Sequence, residues 1–254
     1  MQKQSEIRIV PGADTAVLFL HGISGTSRHF DKLLPLTDRV PSHWSYCNLL
    51  LPGHGGKVTD FSHSSMKQWK EAAGKAFRDL CETHGRVILV GHSMGSLFAA
   101  ELAAENPEQV AGLFLLAVPL HPWMRLSGIG RLLRLTFGCL RTDHEWENAL
   151  QLACGVEPTW KLWQYLGWIP RFLELFEEIY IARKVYRNMP LPGVAFQSGK
   201  DELVCRRSER VLNQNPQLRI HILPESGHFY YAPEDRQTLL TSFENFIKDI
   251  KKHD

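Results

Sequence analysis

Residues 86–105 read RVILVGHSMGSLFAAELAAE, an apolar run with strand character followed at once by one with helix character. The two runs meet at residues 91–95, GHSMG, where a serine lies between two glycines. A sharp strand-to-helix turn presents a serine hydroxyl above a sheet, and its neighbours must be small to avoid collision. The N-terminus of the following helix favours developing negative charge. The stretch therefore predicts a nucleophilic serine, Ser93.

Apolar runs alternate with amphipathic runs along most of the chain. Near-continuous apolar strands separated by helices are typical of a mostly parallel sheet covered by helices on both faces. This α/β architecture binds its ligands at the carboxyl ends of the strands. We predict strands at residues 15–22, 44–53, 86–91, 110–118, 193–199 and 218–224, and helices at residues 65–85, 94–107 and 233–252.

The alternation stops between residues 119 and 190, where no clear strand is evident. This segment contains helix-like pieces such as residues 169–186 and five of the seven tryptophans. We predict that residues 119–190 form a helical lid inserted into a core made of residues 1–118 and 191–254. Three of its tryptophans are expected to contact substrate: Trp123, Trp146 and Trp163.

A serine nucleophile needs a histidine as its base and a carboxylate to orient that histidine. His228 follows the last predicted strand, in LRIHILPESGHFYY, and Asp201 follows the strand before it, in VAFQSGKDELV. Both positions lie at carboxyl ends of strands, where Ser93 is also expected. The chain order Ser93, Asp201, His228 is the order found in hydrolases of this architecture. Glu202 is a weaker substitute for Asp201.

Two backbone N–H groups are needed to stabilise the negative oxygen of a tetrahedral intermediate. The first candidate is Met94, directly after the nucleophile, and the second is Ile23, in the loop after the first apolar strand. His21 is expected to brace that loop. Since no two histidines have the spacing of a zinc-binding helix, we expect no metal, and nothing in the sequence implies a cofactor.

Composition excludes several classes of protein. The net charge of +2 and the lack of a basic run argue against a nucleic-acid partner. The first ten residues lack a signal-peptide core, and no apolar run reaches roughly 18 residues. The five cysteines are scattered and odd in number, as in proteins of a reducing compartment. The sequence therefore predicts a cytoplasmic protein with free thiols.

Several motifs together resemble those of the α/β-hydrolase superfamily: HGISG (21–25), LLPGHG (50–55), GHSMG (91–95), SGKDELV (198–204) and ESGH (225–228). The greatest likeness is to bacterial carboxylesterases and monoacylglycerol lipases. The resemblance implies an eight-stranded core, here seven because the N-terminal stretch is short, and a lid at 119–190. It assigns the triad and oxyanion roles to the same residues as above. The family usually has an acidic residue in the turn where this chain has Leu50 and Leu51.

These observations predict a serine hydrolase that cleaves small carboxylic esters with an apolar group, of short to medium acyl length or similar to monoacylglycerol. An acyl thioesterase with the same triad is the first alternative, and carbon–carbon bond hydrolysis is a weaker one. A non-enzymatic sensor that binds a ligand under the lid is a third. Residues 126–140, LSGIGRLLRLTFGCL, are also suited to transient contact with an anionic membrane surface.

Overall fold

A seven-stranded sheet forms the centre of the protein, whose computed structural model describes residues 4–122, 134 and 144–251. The strands lie in the spatial order β1, β3, β2, β5, β6, β8, β9. All neighbours are parallel except β1, which pairs antiparallel with β3. The strands of this sheet are β1 (Glu6–Arg8), β2 (Thr15–Leu20), β3 (Ser45–Leu49), β5 (Arg86–His92), β6 (Val110–Leu116), β8 (Gly193–Ser198) and β9 (Leu218–Leu223).

Helices cover both faces of this sheet, and a two-stranded parallel sheet pairs β4 (Gly56–Lys57) with β7 (Val156–Glu157). Shorter turns of helix lie at His29–Leu33, Thr37–Arg39 and Leu162–Gly167. The α-helices in the described ranges are α1 (Val58–Ser62), α2 (Met66–Cys81), α3 (Met94–Glu105), α4 (Glu145–Ala153), α5 (Trp168–Asn188), α6 (Ser208–Leu212) and α7 (Pro233–Lys251).

The side chains of the apolar strands are buried because they belong to two separate hydrophobic cores, one on each face of the sheet. Successive side chains of a strand point to opposite faces. In β2, Leu18 joins the core that contains α2, α3 and part of α5, whereas Val17 and Phe19 join the core under α7. Burial on both faces explains why the central strands β2, β5 and β6 are almost entirely apolar.

Helix α3 begins within the turn of residues 91–95 and is enclosed by the protein core. Eight of its twelve residues are buried, and several of them are alanine or glycine. Such a helix, apolar on nearly all sides, is stable only when it is enclosed by other elements. Helix α3 packs against β5 and α5, so the position of its first turn is fixed by the core.

The segment 119–190 is tied to the rest of the chain by polar contacts of α5. Tyr186 donates its hydroxyl hydrogen to the carbonyl of Ser96, at 2.8 Å. Lys70 of α2 lies 2.7 Å from Glu101 of α3 and 3.1 Å from Glu178 of α5. These contacts join three helices, and the segment also contributes β7 to the small sheet.

All six predicted strands are confirmed, and the sheet is mostly parallel as expected. Strand β1 was not predicted because three residues are too few to show periodicity. Helix α2 ends at Cys81 rather than at residue 85, since the amides of Thr83 and His84 both bond back to the carbonyl of Leu80 in a closing turn. No helix within the described ranges is long and apolar enough to cross a membrane.

Candidate active site

Ser93 occupies a strained corner between β5 and α3. Its φ of 50° and ψ of −122° lie where residues other than glycine are rarely found. Such a conformation costs about 1–3 kcal/mol and persists only when its surroundings enforce it. The Ser93 amide donates to the carbonyl of Leu116 on the neighbouring strand, at 2.9 Å, and the Ser93 carbonyl accepts from the Ser96 hydroxyl, at 2.6 Å.

The flanking glycines are required by contact with backbone atoms. A Cβ on Gly91 would lie 2.5 Å from the Cα of Ser96. A Cβ on Gly95 would collide with the carbonyl of Leu20, at the end of β2. Backbone cannot rotate away as a side chain can, so neither position accepts even alanine without a shift of the turn.

The structure brings Ser93, His228 and Asp201 into a single hydrogen-bonded row. His228 Nε2 lies 3.2 Å from Ser93 Oγ, and His228 Nδ1 lies 2.9 Å from Asp201 Oδ2. All three side chains are buried, with 3–7% of their surface exposed. Asp201 Oδ1 also accepts the amides of Leu203 and Val204, both at 2.8 Å, which hold the carboxylate in position beside the imidazole.

The electrostatics of this row raise the pKa of His228. Burial is the largest effect and lowers its pKa, but the charge and hydrogen bond of Asp201 and the charge of Glu202 outweigh it. The net result is a pKa raised above the ordinary 6.5. An imidazole with a raised pKa is a stronger base for a neighbouring hydroxyl.

Glu202 has a role that the sequence did not suggest. Its Oε2 accepts the backbone amide of His228 at 2.9 Å, while Asp201 holds the imidazole of the same residue. Adjacent carboxylates therefore fix the backbone and the ring of one histidine. The adjacency of the two acids was visible in the sequence, but which of them would face the ring was not.

Two further histidines, His92 and His29, support the loop that carries His228. His92 Nε2 donates to the carbonyl of His228 at 3.1 Å, and the His92 ring stacks on His29 with centroids 3.8 Å apart. Burial holds the pKa of His92 well below 6.5 and lowers that of His29 to about 3. Because both stacked rings are neutral, they add no positive charge next to His228. The hydrogen bond from His92 holds the backbone of the His228 loop in place.

The loop after β2 lies directly against Ser93. A Cβ on Gly22 would lie 2.9 Å from the Ser93 Cβ. His21 braces this loop as expected: its Nδ1 donates to the Gly22 carbonyl at 2.8 Å and its Nε2 accepts the Leu51 amide at 3.1 Å. Burial lowers the pKa of His21 to about 4, which keeps this neutral arrangement.

The amides of Ile23 and Met94 are the two predicted oxyanion donors. Ile23 follows Gly22 in the loop against Ser93, and Met94 is the first residue of α3, where backbone N–H groups have no partner within the helix. Within the described ranges, neither amide donates a hydrogen bond to another residue. Both N–H groups thus have no acceptor in the described part of the chain and are available to an external one.

A cavity of about 530 Å³ opens beside Ser93 and His228. Its volume is in the range of sites for small organic ligands. Its lining is mainly apolar, and among the described lining residues the only acidic side chain is that of Glu202. The lining includes Ile23, Pro119, Trp146, Leu150, Ala153, Cys154, Val156, Tyr165, Trp168, Ile169, Phe172, Leu175, Phe176, Ile179, Leu203, Phe229 and Tyr230.

The predicted tryptophans fall in three different places. Trp146 of α4 lines the cavity, and Trp123 lies outside the described residues. Trp163 is 59% exposed, packs edge-on against Trp160 and is not part of the cavity lining. Trp168, which the sequence analysis passed over, does line it and donates its indole N–H to the Val58 carbonyl at 3.3 Å.

Comparison with known proteins identifies the family to which this chain belongs. The sequence profile of the Alpha/beta hydrolase family matches residues 17–239, and the chain belongs to that family. The pimeloyl-[acyl-carrier protein] methyl ester esterase of Neisseria meningitidis serogroup C is 32% identical over 117 residues, which are 46% of this chain and 42% of that protein. The chain thus spans less than half the length of this curated relative.

Two solved structures share the fold across nearly the whole chain. One comes from work on LipS and LipT, two metagenome-derived lipolytic enzymes, with a TM-score of 0.73, 20% identity and coverage of 98% of both chains. The other is the monoacylglycerol lipase of Paleococcus ferrophilus, with a TM-score of 0.66, 15% identity and coverage of 96% of this chain and 99% of that one.

We expect NMR titration of the histidine rings to find the pKa of His228 above 6.5 and those of His29 and His92 far below it. Asp201→Asn should lower the pKa of His228, because it removes the charge nearest the ring. Glu202→Gln keeps an acceptor for the His228 amide and removes the more distant charge, so the pKa should fall less. A His228 pKa that is unchanged in Asp201→Asn would contradict these electrostatics.

Proposed function

We propose that this protein is a serine hydrolase that cleaves carboxylic esters with an apolar acyl or alcohol group. The observation that carries the proposal is the row of Ser93 Oγ, His228 Nε2 and Nδ1, and the Asp201 carboxylate at the edge of a mainly apolar cavity. A serine hydroxyl within hydrogen-bond reach of an oriented imidazole has the geometry of an activated nucleophile. Short to medium acyl esters and monoacylglycerol-like esters are the substrates that suit the cavity.

The reaction proceeds in two halves. His228 accepts the Ser93 proton while Oγ attacks the ester carbonyl, and the carbonyl π electrons move to the oxygen, which the amides of Ile23 and Met94 stabilise. The C–O bond to the alcohol then breaks, and His228 returns the proton to the leaving oxygen. Water deacylates the serine by the same steps. Because His228 must be neutral to act as base, activity falls as the pH drops through its raised pKa.

The similar proteins are compatible with two kinds of substrate, an ester and a thioester. A methyl ester esterase that acts on a carrier-linked acyl chain is among the similar proteins, and the same triad would also attack a thioester. Arg134, which lies in the stretch 126–140 and could attract an acidic carrier or a coenzyme A phosphate, forms an ion pair with the buried Glu147. The apolar cavity therefore favours an esterase whose substrate has an apolar group, and a thioesterase is the second candidate.

Ser93→Ala should lower kcat by about 10⁵–10⁶-fold, and His228→Ala by a similar factor because the two side chains act as a unit. Asp201→Asn should retain more activity, with a loss of about 10⁴-fold. Hydrolysis of a p-nitrophenyl ester and labelling by a fluorophosphonate probe measure both effects. The exposed Ser42→Ala is the matched control and should label like the unaltered protein.

Fluorophosphonate labelling also separates an enzyme from a sensor that only binds a ligand. Labelling that disappears in Ser93→Ala supports the proposal. An intact protein that binds apolar ligands but resists the probe would instead be a sensor, and full activity of Asp201→Asn would remove Asp201 from the proposed triad.

A panel of p-nitrophenyl esters from acetate to palmitate, with monoacylglycerol and acyl-CoA alongside, should give the highest kcat/KM at intermediate acyl length. Ala153→Leu should move the optimum towards shorter acyl chains, because Ala153 lines the cavity and the added methyl groups fill it. Ala149→Leu, a buried position of α4 outside the lining, controls for disturbance of the helix. Higher kcat/KM on acyl-CoA than on every ester would favour the thioesterase.

An exposed apolar stripe on the segment 119–190 supports contact with lipid surfaces. Residues 126–140, for which this contact was first predicted, lie largely outside the described residues. The stripe begins just before α5 and follows that helix at spacings of three and four residues, and two of its members, Ile169 and Phe176, also line the cavity. Its side chains are 49–70% exposed: Leu166, Ile169, Leu173, Phe176 and Tyr180. An apolar face that continues into a cavity would let an acyl chain pass from a lipid surface to Ser93.

Leu173→Glu should weaken binding to phospholipid vesicles and slow hydrolysis of monoacylglycerol held in them, because it places a charge in the stripe but outside the cavity. Hydrolysis of a soluble short-chain ester should not change. Ile7→Glu makes a similar change at another exposed apolar residue, on the edge strand β1, and serves as control. Equal vesicle binding by Leu173→Glu and the unaltered protein would exclude this surface.

A further inference from the structure

Gly155 connects the segment 119–190 to the loop that carries Ile23. Gly155, between α4 and β7, donates its N–H to the carbonyl of Ser24 at 2.8 Å. Its own carbonyl accepts the amide of Gly55 at 2.5 Å. Gly155 therefore bridges two loops of the core by main-chain hydrogen bonds, one on each side.

The contact leaves no room for a side chain. A Cβ on Gly155 would collide with the carbonyl oxygen of Gly25, which is a backbone atom. Since β7 pairs with β4 immediately after this point, the chain at Gly155 has little freedom to move away. An added methyl group must therefore displace the loop of residues 22–25.

That loop is held in an unfavourable backbone conformation next to Ser93. Ser24 has a φ of 50°, which is rare for a residue with a side chain. On its other side, Gly22 lies so near Ser93 that a Cβ there would be 2.9 Å from the Ser93 Cβ. Ile23 stands between these two residues, so the hydrogen bond from Gly155 to Ser24 helps to set the direction of the Ile23 N–H.

Helix α4 connects this contact to the loop of His228. At the start of the helix, the Trp146 ring stacks on Tyr230 with centroids 4.6 Å apart, and it lies where a Cβ on Gly227 would be. Tyr230 also donates its hydroxyl hydrogen to Glu145 Oε2 at 2.7 Å. One helix thus contacts the His228 loop at its beginning and the Ile23 loop just past its end.

We infer that Gly155 is a positioning residue for the oxyanion site, and that the segment 119–190 takes part in transition-state stabilisation as well as in lining the cavity. The inference rests on the proposed hydrolase function. Gly155 touches no substrate in this scheme. It acts through Ser24 on the amide of Ile23. This donor lies in a loop, whereas the other donor, the amide of Met94, belongs to helix α3.

The test is Gly155→Ala, assayed on a p-nitrophenyl ester of preferred chain length. The displaced Ile23 amide should lower kcat by about 10–100-fold, less than the full loss of an oxyanion donor, while KM stays within about threefold. A trifluoromethyl ketone forms a hemiketal oxyanion on Ser93, so its inhibition constant should rise in parallel with the loss in kcat/KM. The dissociation constant of the primary alcohol of the same chain length, which fills the apolar cavity but has no negative oxygen for the two amides to stabilise, should not change.

Gly167→Ala is the matched control. This glycine belongs to the same segment, and its Cβ would also be too close to a neighbour, 2.6 Å from the Ser62 Cβ, but that neighbour is a side chain of α1 and not the Ile23 loop. It should affect thermal stability without changing the trifluoromethyl ketone constant relative to KM. Replacement of Gly155 by glycolic acid, which exchanges its N–H for an ester oxygen and adds no atoms, tests the hydrogen bond alone if the alanine variant does not fold.

A folded Gly155→Ala or glycolate variant with kcat and ketone affinity within about twofold of the unaltered protein would overturn the inference. So would equal losses in ketone affinity and in primary-alcohol affinity, which indicate a damaged cavity. Failure of the proposed function itself gives a different result, because the unaltered protein would then neither hydrolyse esters nor label with a fluorophosphonate.

Discussion

The backbone of Ser93 is the constraint on which the rest of the site depends. A residue with a side chain is held at φ 50° between a buried strand and a buried helix, and this is stable only because both elements are enclosed by the core. The same corner requires Gly91 and Gly95, since their neighbours are backbone atoms. The hydroxyl is thereby presented at the carboxyl edge of the sheet, where the loops after β8 and β9 bring Asp201 and His228 to it.

The surroundings of His228 show how a buried histidine can keep a raised pKa. Burial alone would lower the pKa, as it does for His21, His29 and His92. His228 differs because two carboxylates face it, one at the ring and one at the backbone amide. In the proposed mechanism this arrangement makes the imidazole a better proton acceptor, and the neutral histidines around it keep its loop in place without repelling the charge.

Much of this arrangement could be predicted from the sequence, because strands are short, apolar and locally encoded. Ser93, Asp201 and His228 each follow such a strand, so their common edge follows from the parallel sheet. Glu202 was not assigned its contact with the His228 amide, since that depends on how two loops pack. The choice among tryptophans depends on the rotation of helical turns, and so Trp163 was selected where Trp168 lines the cavity. The bond from Gly155 to Ser24 joins parts of the chain distant in sequence, and no local pattern indicates it.

In the proposed mechanism, a covalent adduct on Ser93 places an oxygen atom between two backbone amides. The most direct test is a crystal structure of the protein after reaction with a fluorophosphonate. We expect phosphorus bound to Ser93 Oγ, with the phosphoryl oxygen about 3 Å from the backbone nitrogens of Ile23 and Met94. An adduct on another residue, or a phosphoryl oxygen that points away from both amides, would be inconsistent with Ser93 as the nucleophile and with the proposed oxyanion site.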